Sequence, residues 1–335
     1  MRNIWYLLSS LLIAASLTVE LASAPQHSLV FVHLGPSEIP KYAVTAVEQA
    51  RLFNPDCPFY FIVQHKQVAP LTHRLRESHV TCIAAESLKK TPHHTRFLQT
   101  STLDPNWHHG FWKYTTDRIF YLEEVMIDHQ LSNVVHIEND IMLYVDLSTI
   151  MPTLQKHYKG IGITFGSDNM CVPGFVYIPS AASLKPITTF LADRAREGKD
   201  DGLTLATCKN TIGRHYIDHL PTVCTEYALH HEMKNLCNEK AVDPALFSQH
   251  IEEFQSIFDA AAFGQFLGGW SPLNSGWNNG QPCKNFWSMF DASHVPVTWE
   301  LDCQGRKVPF ANFAGTKYRI NNLHIHSKNL KGFCS

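Results

Sequence analysis

The chain has 335 residues, 44% hydrophobic and 17% charged, with a formal net charge of −2. That is enough apolar material for one large core or two fused ones, which excludes a disordered or fibrous chain. Near-neutral charge without long Lys/Arg runs excludes nucleic acid and anionic membrane as general electrostatic partners, so any phosphate must be held locally.

The N-terminus, MRNIWYLLSSLLIAASLTVELASAPQ, carries one Arg, an apolar stretch from Ile4 to about Val19 and the small tripeptide Ala22-Ser23-Ala24. Residues 1–24 thus have secretory signal architecture; a short membrane anchor is the rival reading, since Pro25 is a poor residue to follow a cleavage site. No later apolar run in 25–335 is long enough to span a bilayer. All nine Cys follow this segment, so a secreted or periplasmic location implies some disulfides and at least one thiol left over. No CxxC or zinc-finger spacing occurs.

SLVFVHLG (28–35) reads as a buried strand, YAVTAVEQARLF (42–53) as a helix and FYFIVQ (59–64) as a second strand. A polar helix near 69–77 leads to the strand HVTCIAA (79–85), and the polar segment 86–110 reads as a long loop at the sheet's edge. Residues 111–131 show apolar positions at 112, 119, 122, 125 and 126, a helix with one buried face. It delivers the strand NVVHI (133–137) and then Glu138-Asn139-Asp140. Strands follow near 160–165 and at 174–178, with a helix from about Ala182 to Arg196. DDGLTLATC and TEYALHHEMKNLC read as helical, and Asp259 is placed to cap a helix in FDAAAFGQFL (258–267). The tail reads as short strands around a turn at Gln304-Gly305. Alternating strands and helices imply an α/β fold with a mostly parallel sheet, and without a linker or repeat the two halves form a single domain.

Two acids in a Glu-X-Asp pattern at a strand's end have the chemistry to hold a hard divalent cation such as Mn2+ or Mg2+, whose ligands are oxygens and the substrate's phosphates. In open α/β sheets ligands sit outside the strands' carboxyl ends, where Glu138 and Asp140 fall. Near the C-terminus, NNLHIHSKNLKG puts His324 and His326 on one face of a short strand, followed by Lys328. An imidazole can complete the ion's shell and a Lys can meet a diphosphate oxygen. The bland reading is a surface strand with solvent-facing His. His93-His94, His108-His109 and His230-His231-Glu232 lack the i, i+4 spacing of a zinc hydrolase.

Taken in order, HIEND (136–140), NMCVPGFVYIPS (169–180), NLHIHSK (322–328) and FWKYTTDR (111–118) resemble the motifs of A-type-fold glycosyltransferases, loosely those of the glycogenin-type family. HIEND resembles their DxD-type metal motif with Glu in the first acidic place, and Ser327 stands where the late motif has Gly. The resemblance implies one Rossmann-like catalytic domain over 25–335, with a nucleotide-binding half of about 28–145 and an acceptor half of about 146–335 ending in a smaller mixed α/β part. It implies transfer of a sugar from a nucleotide-diphosphate donor to a carbohydrate or protein acceptor, with Mn2+ or Mg2+ held by Glu138, Asp140 and a late His, for which His324 and His326 compete. On a strand ending at a phosphate site the residue nearer Lys328 reaches the ion, which favours His326, while His324 packs beside it. Lys113, Arg118 and Lys328 would face the donor phosphates, Asp168 and Asp259 are the candidate catalytic acids, and Gln265 is a sugar-facing polar group. A secreted sugar-binding protein that kept the fold without catalysis is the competing reading.

Overall fold

The computed structural model describes residues 27–167, 169–224, 245–247, 250–269, 292–313 and 315–335. The N-terminal apolar segment, Asp168, TEYALHHEMKNLC, His230-His231-Glu232 and the stretch from Trp270 to Gly280 lie outside the described residues.

The first part of the chain runs β1 (Ser28–His33), α1 (Lys41–Phe53), β2 (Phe59–Val63), α2 (His65–Arg74), β3 (Val80–Ala84), α3 (Pro92–Thr100), α4 (Phe111–Asp128), β4 (Ser132–Ile137) and β5 (Ile141–Leu143). It continues with α5 (Leu147–His157), β6 (Ile161–Ser167), β7 (Met170–Ser180), α6 (Ala181–Arg194), α7 (Asp201–Ile212), β8 (Ile217–His219), β9 (Thr222–Cys224) and β10 (Ala245–Phe247). Then come α8 (Ile251–Phe254), β11 (Ser256–Ile257), α9 (Ala262–Gly268), β12 (Val297–Leu301), β13 (Lys307–Phe313), β14 (Thr316–Ile320) and β15 (Asn322–His324).

The main sheet has seven strands in the order β3-β2-β1-β4-β7-β6-β8. Its pairings are parallel except around β7, which runs antiparallel to both β4 and β6. The α/β class with a mostly parallel sheet is therefore observed. Side chains of β1 alternate between two cores. Val30 and Val32 pack with Ile62, Phe120 and Val125, while Leu29 and Phe31 pack with Val47, Phe61 and Leu154 on the opposite face. Because helices cover both faces, β1 has no polar side and reads as an unbroken apolar run. Each such fully buried side chain contributes about 1.5–3 kcal/mol.

A smaller sheet, β11-β14-β13-β12, and the pair β15-β5 complete the architecture. Ile257, Val308, Ile320 and Leu323 join Phe53 and Tyr144 in a third core that locks the smaller sheet to the first part of the chain.

Three expectations need correction. The segment 86–110 is not a continuous loop, since α3 forms within it; Thr91 caps the helix through the His94 N–H, Pro92 starts it without needing a donor, and His94 and Phe97 are buried. Trp112 is not on the buried face of α4; it is 37% exposed and stacks on Trp107 with ring centroids 5.5 Å apart. The expected disulfides do not involve Cys57, Cys82, Cys171, Cys208, Cys303 or Cys334, which are free thiols. Among the described residues no helix is long and apolar enough to cross a membrane.

Candidate active site

Strand order reverses between β1 and β4, so a crevice opens where their carboxyl ends diverge. Glu138, Asn139 and Asp140 form the turn between β4 and β5 at that point. The Ile141 N–H closes the turn on the Glu138 carbonyl at 3.1 Å, and the Glu138 N–H donates to the Gly174 carbonyl of β7 at 3.0 Å. Asn139 Nδ2 lies 2.9 Å from His33 Nδ1 at the end of β1.

The far end of the sequence reaches this turn through a ladder. β15 pairs antiparallel with β5, matching Asn322 to Leu143, Leu323 to Met142 and His324 to Ile141. That register sets His324 beside Asp140, whose carbonyl also accepts from the Ile325 N–H at 3.0 Å. His324 Nε2 lies 3.2 Å from Glu138 Oε2 and 3.3 Å from Asp140 Oδ1. Gly174 leaves room for this ring, since a Cβ there would stand 2.8 Å from His324 Nδ1.

Three further charged groups surround the acids. Arg118 of α4 pairs with Glu138 through one nitrogen and with Asp201 through the other, the latter at 2.9 Å; Asp201 Oδ1 also accepts from the Thr115 hydroxyl at 3.2 Å. Lys328 pairs with Asp140, and Tyr42 stands beside the ammonium. Burial alone would raise both carboxyls of the turn. The opposing charges win: Arg118 and His324 hold Glu138 below its usual range, and Lys328 and His324 hold Asp140 well below its own. Burial acts to lower His324, yet Asp140 and Glu138 outweigh it and raise the imidazole. Asp201 is raised by burial despite Arg118.

The residues anticipated from sequence take different places. The strand carrying the two late His ends at His324, so they do not share one strand face; the His326 N–H turns back to the His324 carbonyl at 3.1 Å, and Lys328 adopts a left-handed φ of 65°. His326 instead packs against the His324 ring, centroids 4.3 Å apart, with Nδ1 hydrogen-bonded to Gln265 Nε2. Burial, reinforced by His324 and Lys328, holds His326 well below its ordinary value. Asp259 is 1% exposed, and its carboxylate accepts from the N–H groups of Phe263, Gly264 and His324 at 2.8–3.0 Å. It is an anchor for α9 and β15. Arg118 is committed to carboxylates, and Lys113, half-buried in the first turn of α4, has no hydrogen bond or ion pair among the described residues.

Glu138, Asp140 and His324 bring three ligand atoms within 4.8 Å of one another. Two carboxylates and one imidazole suit Mn2+ or Mg2+, and the same two carboxylates that raise the His324 imidazole favour positive charge at this point. Sequence reasoning treated His324 as a bystander and missed Asp201, Thr115 and Tyr42. An acid in the first turn of a helix is ordinary, so Asp201 carries no local signal.

Beside the turn lies a cavity of about 370 Å³ at the carboxyl ends of β1, β2 and β3, lined by Leu34, Gln64, Ala85, Lys90, Tyr114 and Asp117 among others. Beneath it, the fully buried His94 bridges Asp117 at 2.7 Å and Glu124 at 2.8 Å. Burial acts to lower this imidazole, but the two carboxylates outweigh it and raise its pKa.

No protein-family model and no curated protein matches the chain. In fold the chain is similar to solved glycosyltransferases. Mouse xyloside xylosyltransferase 1, in its apo form, shares 12% identity over 58% of this chain and 84% of that one, with a TM-score of 0.42. The galactosyltransferase LgtC, solved with donor and acceptor sugar analogues, shares 13% over 58% and 73%, with a TM-score of 0.38. A cytidylyltransferase from Leptospira borgpetersenii serovar Hardjo-bovis shares 6% over 59% and 77%, also at 0.38.

Proposed function

We propose that this protein is a metal-dependent glycosyltransferase that moves a sugar from a nucleotide-diphosphate donor to a hydroxyl acceptor. The observation that carries the reading is the meeting of Glu138, Asp140 and His324, with Lys328, at the reversal of strand order. Those three side chains would hold Mn2+ or Mg2+, which when bound supplies Lewis-acid neutralisation of the leaving diphosphate.

The remaining groups have separable tasks. Arg118, fixed between Glu138 and Asp201, orients the Glu138 carboxylate. Lys328 is the cation free to exchange: its side chain is 29% exposed, and rotation away from Asp140 presents the ammonium to a phosphate oxygen. Asp259 sets the height of β15 and hence of His324. The neighbouring cavity has the polar and aromatic lining to seat the nucleoside, with Asp117 as an acceptor for base N–H groups. The apolar N-terminal segment supports assigning the enzyme to the secretory pathway.

The test is release of nucleoside diphosphate from a panel of nucleotide sugars with Mn2+ or EDTA. Turnover is expected to need the ion and to fall at least about a hundredfold in Asp140→Asn, about 2.7 kcal/mol in the barrier. Saturable donor binding without turnover would instead support the non-catalytic sugar-binding protein.

A further inference from the structure

A second group of described side chains brings three metal-ligating atoms together and shares no residue with the acidic cluster: His157, His250 and Glu253. His157 ends α5, whereas His250 precedes α8 and Glu253 lies within it, 96 residues further along the chain. His157 Nε2 lies 3.0 Å from Glu253 Oε1, and the two imidazole rings stack with centroids 3.6 Å apart. The three ligand atoms lie within 4.8 Å of one another.

We infer that these three side chains form a binding site for a borderline divalent cation of the Zn2+ class, which ties α8 to α5. A tetrahedral ion with bonds of about 2.0–2.1 Å holds its ligand atoms about 3.4 Å apart, a spacing within the 4.8 Å that contains these three, and the two stacked rings would splay on binding so that their in-plane lone pairs meet at one ion. Two imidazoles and one carboxylate are the donor set such an ion takes, whereas Mg2+ and Ca2+ favour oxygens throughout. Lys156 holds the other oxygen, Oε2 of Glu253, at 2.7 Å, which leaves Oε1 on the imidazole side. The Lys charge opposes the cation and limits its affinity. Glu253 is 42% exposed, so water completes the coordination.

The backbone is shaped to this end. His250 adopts φ 70°, rare for a side chain with a Cβ, and its carbonyl accepts from the N–H groups of Glu253 and Phe254 at 3.0 and 3.1 Å. That turn brings the His250 ring and the Glu253 carboxylate onto His157 together. Phe254 then packs near Tyr158 and Phe258, and the next residue after Phe258 is Asp259, which holds the His324 N–H. The ion would thus fasten the segment that positions the proposed active site.

The test is a titration of the full chain with Zn2+ against a chromophoric chelator, in an Asp140→Asn background that disables the acidic cluster. One saturable Zn2+ equivalent is expected, with affinity falling at least tenfold in His157→Gln and in His250→Gln, and Zn2+ raising Tm in the parent only. Glu253→Gln, at an exposed position, gives a third variant whose folding is not at risk, and it should weaken Zn2+ as well. Unchanged affinity across the variants, or no saturable Zn2+ in the parent, overturns the proposal. The donor-release assay on the native sequence is read separately, so either proposal can fail alone.

Discussion

At the scale of single residues, the two late histidines carry different chemistry although they stand two apart. His324 Nε2 faces both carboxylates, while His326 is hydrogen-bonded to Gln265 and packed on the other ring. His324→Ala is therefore expected to raise the Mn2+ concentration for half-maximal donor turnover at least tenfold, about 1.4 kcal/mol. His326→Ala should leave it within about twofold; the opposite pattern in a Mn2+ titration would return His326 to the ligand set. The sequence favoured His326 because an extended strand places i and i+2 alike and the nearer residue to Lys328 looked better placed. What pattern alone could not show is that the ladder with β5 ends at His324, so the backbone turns before His326.

At the scale of elements, close contact between α9 and β15 decides where His324 sits. A Cβ on Gly264 would stand 2.0 Å from the His324 carbonyl oxygen and 2.4 Å from its carbon, a clash of backbone with backbone that no rotamer relieves. Gly264→Ala should cost about 3 kcal/mol or more and, by pushing α9 off β15, loosen the Asp259 grip on both. Gly332→Ala, with nothing within 4 Å of its Cβ, is the control expected to leave Tm unchanged. Elements with strong periodicity were legible: β1, α1, β2 and β4 fall where apolar pattern places them. α3 was not, because PHHTRFLQT has few apolar residues to set a period; its buried face depends on His94, whose two carboxylate partners lie on α4. Likewise β7 extends well beyond its apolar centre, because pairing with both β4 and β6 supplies what its polar ends lack.

At the scale of the whole molecule, the first and last parts of the chain share one core and one site, which is why no linker was visible and why stability should respond to pH as a unit. Two histidines outside the acidic cluster, His94 buried and His219 half-buried, pull in opposite directions. His219 is stacked on Phe165 and accepts from Lys209; burial, aided by Lys209 and Arg214, lowers its pKa to about 3. The unfolded chain takes up a proton below about pH 6.5 that the folded chain refuses, so stability falls on acidification by up to about 1.4 kcal/mol per pH unit. His94 has the other sign. Its pKa is raised by Asp117 and Glu124 against burial, so its contribution is complete below the unfolded value and is lost as pH rises through the folded one. Urea denaturation across pH 4.5 to 8.5 should therefore show a maximum between two limbs. His219→Gln should flatten the acid limb and His94→Gln the alkaline one, after lowering stability near pH 6 by leaving two buried carboxylates unpaired. Acid and alkaline slopes unchanged from the parent in both variants would mean that neither ring changes its protonation on folding.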